Sequence, residues 1–340
     1  MKICPFIVYV PDFLYLCSLI FKDMAHFVVS SDKDLITSHA QTRAGFIEAA
    51  LAKNEKAKPY IEQAKTLRSY AQTVDNPKLL KTIPQIKNLL LTASGLSDKA
   101  LNYFDDSDKL EAIDKLIENF LEPAGEDFAD ELVYRYLIIR GDSLGGEMRN
   151  YVGMVAQIKM IRKILSILDA SGKSYQILRK KNRAKNKWDN QNYENDYNTA
   201  EEITAIAWGG SSKPRLLPFN AKIPLVNNNI DICLFNGKPS DYSDIVKHPN
   251  KTVMLGELKG GIDPAGADEH WKTGNAALGR IRSAYKAANI PVLTSFIAAA
   301  IEVKMAKEIW DQLVGGILSN AANITVDKQI TMYCDWVINL

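Results

Sequence analysis

The chain has 340 residues, 46% apolar and 24% charged, and its 42 basic and 40 acidic side chains leave a formal charge of +2. These proportions exclude a disordered, fibrous or uniformly polyanion-coating protein and leave room for two domains of ordinary size. A nucleic-acid site therefore has to come from local clustering of basic residues. Cys4, Cys17, Cys233 and Cys334 are too widely spaced for a zinc site or a disulfide scaffold, and read as reduced thiols of a cytoplasmic protein.

Residues 1–23, MKICPFIVYVPDFLYLCSLIFKD, are strongly apolar but interrupted by Pro5, Pro11 and Asp12. A spanning helix needs about 20 mostly uninterrupted apolar residues, and no small-residue cleavage site precedes Met24. The segment is expected to be a leader outside the fold, with Met24 as the physiological start and no membrane partner. From Ser38 to about Leu101, alanine, leucine and lysine recur at three- and four-residue spacing, with Pro59, Pro77 and Pro84 as the expected breaks between short helices. A further helix pair is expected between Ser107 and Arg140, broken at Glu122-Pro123-Ala124-Gly125. Residues 24–140 thus read as a helical domain.

GDSLGGEMRN, residues 141–150, reads as a glycine-rich turn into a helix that stops at Gly172. There, Asp142, Glu147 and Arg149 lie where backbone N–H groups of a helix start could hold phosphate, although close packing explains the glycines equally well. Candidate strands follow: ITAIAW, AKIPLV, NIDICLF, TVMLGELK and VLTSFIAAAIE, with helix again over residues 300–318. Helices alternating with buried strands make residues 141–340 an α/β domain. RKKNRAKNKW, residues 179–188, carries six basic residues and no acidic one. It is either a solvated loop or a phosphate-facing one, with Lys180 and Lys181 as DNA contacts and Trp188 nearby. No internal repeat is present.

The chemistry concentrates in NNNIDICLFNG and VMLGELKGGIDPAGADEHWKT. Residues two apart on a strand share a face, so Glu257 and Lys259 project together while Leu258 turns into the core. Pairing with the preceding strand brings Asp231 alongside. Two carboxylates held together repel, and a hard divalent cation is the usual relief, which implies Mg²⁺. Such a cation activates water and stabilises charge on a phosphate, and a lysine ammonium beside it can orient the nucleophile. His270, at the start of a helical run, can serve as general base or occupy a structural position. His26, His39 and His248 carry no assigned role.

The string GELKGGIDPAGADEHWKT, with VNNNIDICLFN before it and AAAIEVKMAKEIWDQL after it, resembles the AvaI/BsoBI family of type II restriction endonucleases. RAGFIEAALAKN, GLSDKA, LIENFLEPAGEDF and GDSLGGEMRN extend the resemblance from about Met24 to Leu340. It implies a PD-(D/E)XK nuclease core with an added helical domain. It further implies a homodimer around double-stranded DNA, magnesium, and cleavage of CYCGRG after the first cytosine with a 5′ overhang. A cognate DNA methyltransferase would be a functional partner only. The resemblance implies Asp231 and Glu257 as metal ligands, Lys259 as catalytic lysine, His270 as a participant in water activation, and Asp263 and Lys99 as base-reading residues. An isoleucine precedes Asp231 where many nucleases of that superfamily carry proline. A repair or recombination nuclease, or a DNA-binding protein without cleavage, are the other readings of the same residues.

Overall fold

The computed structural model describes residues 27–340. The expected leader with its Cys4 and Cys17, and His26 just after it, lie outside them. The described chain divides into two compact units, one formed by residues 27–44 together with Val152–Leu340, the other by Gly45–Tyr151. The helices are α1 (Asp32–Leu35), α2 (His39–Ala71), α3 (Lys87–Ala93), α4 (Asp106–Leu116), α5 (Phe128–Ala170) and, further on, α6 (Tyr193–Asn198). The strands are β1 (Tyr175–Arg179), β2 (Asp189–Asn190), β3 (Ile203–Trp208), β4 (Arg215–Ile223), β5 (Asn228–Asn236) and β6 (Thr252–Lys259). There follow α7 (Ala267–Ala287), β7 (Leu293–Ala298), α8 (Val303–Val314), β8 (Asn320–Asn323) and α9 (Asp327–Asn339).

The unit Gly45–Tyr151 is helical and has its own core, with Leu67, Leu80, Leu90, Ile113, Leu121 and Leu132 fully buried. Asp105 caps α4, accepting from the Asp108 amide while the Asp108 carboxylate accepts from Asp105 N–H, so two donors at the helix start are satisfied reciprocally. The expected break after Leu121 is present, with Gly125 at φ +59°, a conformation glycine adopts without a Cβ penalty.

Two expected breaks are absent. Pro59 lies inside the 33-residue α2, on an exposed stretch where the carbonyl that loses its donor can turn to water. GDSLGGEMRN is not a turn, because α5 runs unbroken for 43 residues through it. Asp142 and Glu147 therefore sit mid-helix, where no free N–H groups face a ligand. Glu147 instead accepts from the Tyr60 hydroxyl.

The other unit is α/β. Its eight strands form one mixed sheet in the order β2-β1-β3-β4-β5-β6-β7-β8. Strands β2 through β6 pair antiparallel, and β6-β7-β8 pair parallel. Helices supply the apolar faces that bury it: α8 turns Met305, Ala306, Ile309 and Leu313 inward, the stripe expected of a helix on a sheet. The strand expected at residues 221–226 is displaced to Arg215–Ile223. Pro218 has no N–H to give, and the β4–β5 pairs pass from Leu216↔Phe235 to Phe219↔Ile232 without a rung there. The N-terminal segment belongs to this unit: Asn323 Nδ2 donates to Leu35 O, and Thr37 Oγ1 donates to Ala299 O. Among the described residues no helix is long and apolar enough to cross a membrane.

Gly141 and Gly145 have ordinary helical backbones and open space where a Cβ would stand. Gly141→Ala and Gly145→Ala are each expected to stabilise the protein by about 0.5–1 kcal/mol, since alanine is the better helix former. Denaturant melts of the two variants check this. A loss of stability would restore the turn.

Candidate active site

β5 and β6 pair through Ile232↔Gly256 and then separate, leaving Asp231 and Glu257 facing each other one step beyond the last rung. Asp231 Oδ2 there accepts the Leu258 backbone N–H at 2.8 Å, so a carboxylate takes the place of the missing strand partner. Strand β6 remains paired on its other side, with Glu257↔Phe296, Leu258↔Ile297 and Lys259↔Ala298. This pairing fixes the direction of Glu257 and Lys259. Lys259 Nζ lies 2.9 Å from Glu257 Oε2 and 4.0 Å from Asp231 Oδ2. The three side chains expected to meet do meet.

Glu257 is 5% exposed, and burial, followed by repulsion from Asp231, pushes its carboxyl above the usual carboxylate range. Lys259 and, more weakly, Arg280 pull it back. Burial also raises Asp231, partly offset by the Leu258 N–H and Lys259. The site therefore holds more negative charge than it comfortably carries. Among the described residues no group of three or more His, Cys, Asp or Glu side chains is placed to hold a metal. Two facing carboxylates are nevertheless a hard-oxygen donor set of the size magnesium uses when a substrate phosphate and waters complete its shell.

Glycines shape the rest. A Cβ on Gly260 would stand 2.6 Å from Val152 O and 2.9 Å from Ala156 Cβ of α5. One on Gly261 would stand 2.4 Å from the His270 ring. The pair after Lys259 thus lets α5 approach the strand end on one side and the imidazole on the other. The His270 Nδ1 is buried and has no hydrogen-bond partner among the described residues, and burial, then the Lys259 charge, lowers the ring's pKa below the ordinary histidine value. Gly274 of α7 performs a similar service: a Cβ there would meet Phe296 Cε2 at 2.6 Å and Lys259 Cε at 3.6 Å. Trp271 packs edge-on against Phe296 with ring centroids 5.0 Å apart, and its indole donates to Glu308. Gly274, Trp271 and Arg280 were not singled out from sequence; the helical spacing of α7 from His270 onward carried the only signal.

The remaining expected residues are not gathered at this cluster. Asp263 is exposed and accepts the Ala265 N–H, capping a short turn ahead of α7. Lys180 and Lys181 are exposed on the 3₁₀ turn Lys180–Lys185. Lys99 is exposed in the helical unit. Arg179, first of the basic run, does not face solvent. It is buried against Asp196 at 2.7 Å and Asp189 at 3.2 Å, a structural ion pair.

The family model described as restriction endonuclease BsobI matches residues 25–340, and the chain belongs to that family. The type II restriction enzyme BsoBI of Geobacillus stearothermophilus is 48% identical over 314 residues, 92% of this chain and 97% of that enzyme. The type II restriction enzymes AvaI of Nostoc sp. (strain PCC 7120 / SAG 25.82 / UTEX 2576) and of Anabaena variabilis are each 45% identical over 313 residues, 92% of this chain and 98% of theirs.

Two outcomes test this geometry. The carboxyl of Asp231 is raised in the folded state, so the folded protein binds more protons than the unfolded chain above the ordinary value of 3.8. The charged form thus lowers stability at neutral pH, and the loss is recovered as pH falls through the folded value. In EDTA, Asp231→Asn is expected to raise the melting temperature at pH 7 by on the order of 2 °C, with a smaller gain near pH 4. Calorimetry reads the sign directly, and a lower melting temperature at pH 7 would contradict the electrostatic account. Gly274→Ala is expected to displace Phe296, whose strand β7 holds β6 and with it Lys259 in register, and to cut turnover on the order of 10–100-fold with the fold intact. Full turnover in that variant would remove Gly274 from the positioning of Lys259.

Proposed function

We propose that this protein is a type II restriction endonuclease with a PD-(D/E)XK core. In this reading it cleaves double-stranded DNA at CYCGRG after the first cytosine of each strand, as a homodimer, with Mg²⁺. The observation that carries the reading is the convergence of Asp231, Glu257 and Lys259 where β5 and β6 part. The membership in a restriction endonuclease family and the near-full-length relatives, named as type II restriction enzymes, support it.

Asp231 and Glu257 are the residues that would hold the cation, and their burial, with the Asp231 charge adding to the burden on Glu257, is the reason they would take one up. When bound, the cation supplies charge neutralisation at the phosphate and a lowered pKa for water. The chain's own groups do the rest. The Lys259 ammonium, held against Glu257, stands where negative charge develops on the phosphoryl oxygens. His270, neutral through physiological pH because its pKa is lowered, can take a proton from the attacking water as general base. On the DNA side, Asp263 can accept from a cytosine amino group, and Lys99 can donate to guanine acceptors in the major groove. Lys180 and Lys181 meet phosphates. A palindromic target suits a two-fold dimer, since each subunit then reads one half-site with the same residues. A restriction enzyme of this kind acts in a cytoplasm that also holds the methyltransferase protecting the host DNA.

Digestion of a plasmid carrying one CYCGRG site, with magnesium and with EDTA, tests the reading. Run-off sequencing should place a magnesium-dependent cut after the first cytosine on both strands. Glu257→Ala and Lys259→Ala should lose cleavage by on the order of 10³-fold or more while still binding the duplex. Cuts unrelated to the hexamer would remove the specificity, and cleavage by either variant would remove that residue from the mechanism.

A further inference from the structure

The basic run divides in the structure. Arg179 is committed to the buried pair with Asp196, whereas Lys180 and Arg183 form no ion pair with any described residue. They lie three apart on a 3₁₀ turn, whose period is three residues, and so share a face. That face lines a cleft of about 340 Å³, together with Thr204 of β3, Phe219 and Asn220 of β4, and Gln157 of α5. Among the described residues no carboxylate lines it.

The cleft is built around an unusual backbone position. Asn220 has φ +51°, a left-handed conformation that asparagine tolerates, and its side-chain amide donates to Gln157 Oε1. The Gln157 amide nitrogen is left as a donor beside the two cations, over the apolar floor of Phe219. Asn220 stands between the pairs Phe219↔Ile232 and Ala221↔Ile230, which places it across the β4–β5 ladder from Asp231. At about 4.8 Å per strand spacing, the cleft lies on the order of 5–10 Å from the Asp231–Glu257 pair, at the same end of the sheet. That is the scale of the step between successive phosphates of one DNA strand.

We propose that this cleft is a phosphate subsite, in which Lys180, Arg183 and Gln157 hold a backbone phosphate of the cut strand next to the one at Asp231 and Glu257. The proposal rests on the nuclease reading above. An arginine fork, an ammonium and an amide N–H converge there with no competing acid, which is the chemistry of phosphate recognition. The sugar can lie on Phe219. Holding the neighbouring phosphate fixes the register of the strand over the cluster, so the cleft positions DNA and reads no base.

The test uses the full chain and a duplex with one CYCGRG site. Binding is followed by fluorescence anisotropy without metal over a range of salt, for the wild type and for Lys180→Ala/Arg183→Ala. Both residues are exposed, and an unchanged melting temperature verifies the fold. A panel of duplexes carries a single uncharged methylphosphonate at each phosphate around the cut. The double variant should bind about 10–100-fold more weakly, with a log–log salt slope shallower by about 1, the share of one phosphate, and with its preference for the hexamer retained. One methylphosphonate next to the cut should weaken the wild type about 10-fold yet leave the double variant unaffected. Gln157→Leu, which changes no charge, should blunt the response to the same methylphosphonate.

Wild-type affinity and slope in the double variant would overturn the subsite, as would undiminished sensitivity to every methylphosphonate, with the nuclease reading left standing. Failure of the wild type to bind the duplex at all would overturn both.

Discussion

The arrangement depends on one hydrogen bond at a strand end. Where β5 leaves β6, the Leu258 N–H loses its ladder partner, and a buried backbone donor left unsatisfied costs about 1–3 kcal/mol. The Asp231 carboxylate fills that place at 2.8 Å. It is thereby held against β6, and Glu257, which β7 keeps in line from the other side, has no route away from it. The backbone's demand for an acceptor and the sheet's demand for register set two acids face to face. Lys259, two residues on and on the same face, is drawn to both.

Small residues then decide what can approach the cluster. Gly260 and Gly261 admit α5 and the His270 ring, and Gly274 leaves room for Phe296 and the Lys259 stem. A side chain at any of them would overlap an atom closer than 3.0 Å. The imidazole ends up partly buried near a lysine, and both influences keep it neutral. The helices of this unit position the chemistry by where they lack side chains as much as by where they carry them.

The candidate site was more legible in the sequence than the fold around it. Glu-x-Lys on a strand needs only the two-residue alternation to place its side chains, and the apolar run that follows Asp231, Ile232 to Phe235, marks a second strand; both rules are local. What was missed is not local. Pro59 and the glycines of GDSLGGEMRN are breakers by propensity, yet α2 and α5 continue through them because tertiary context outweighs a cost of about 1 kcal/mol per glycine. β4 was displaced because Pro218 and Asn220 interrupt the pattern of a strand that its two neighbours nonetheless hold. β8 is four buried residues, Asn-Ala-Ala-Asn, with no β-branched side chain to announce it. Its asparagines are engaged with the N-terminal segment, as in the bond from Asn323 to Leu35, a contact that no reading of the local string anticipates. Gly274 and Gln157 emerged only once α7 and α5 were seen against the sheet.

Burial together with the Asp231 charge holds the Glu257 carboxyl above the usual carboxylate range, a burden that a bound divalent cation would relieve. Carbon-13 NMR of carboxyl-labelled glutamate, with Glu257→Gln to assign the resonance, measures it most directly. The account predicts that Glu257 titrates above the ordinary carboxylate range in metal-free protein and falls below it when magnesium is added. An ordinary titration that magnesium leaves unmoved would contradict it.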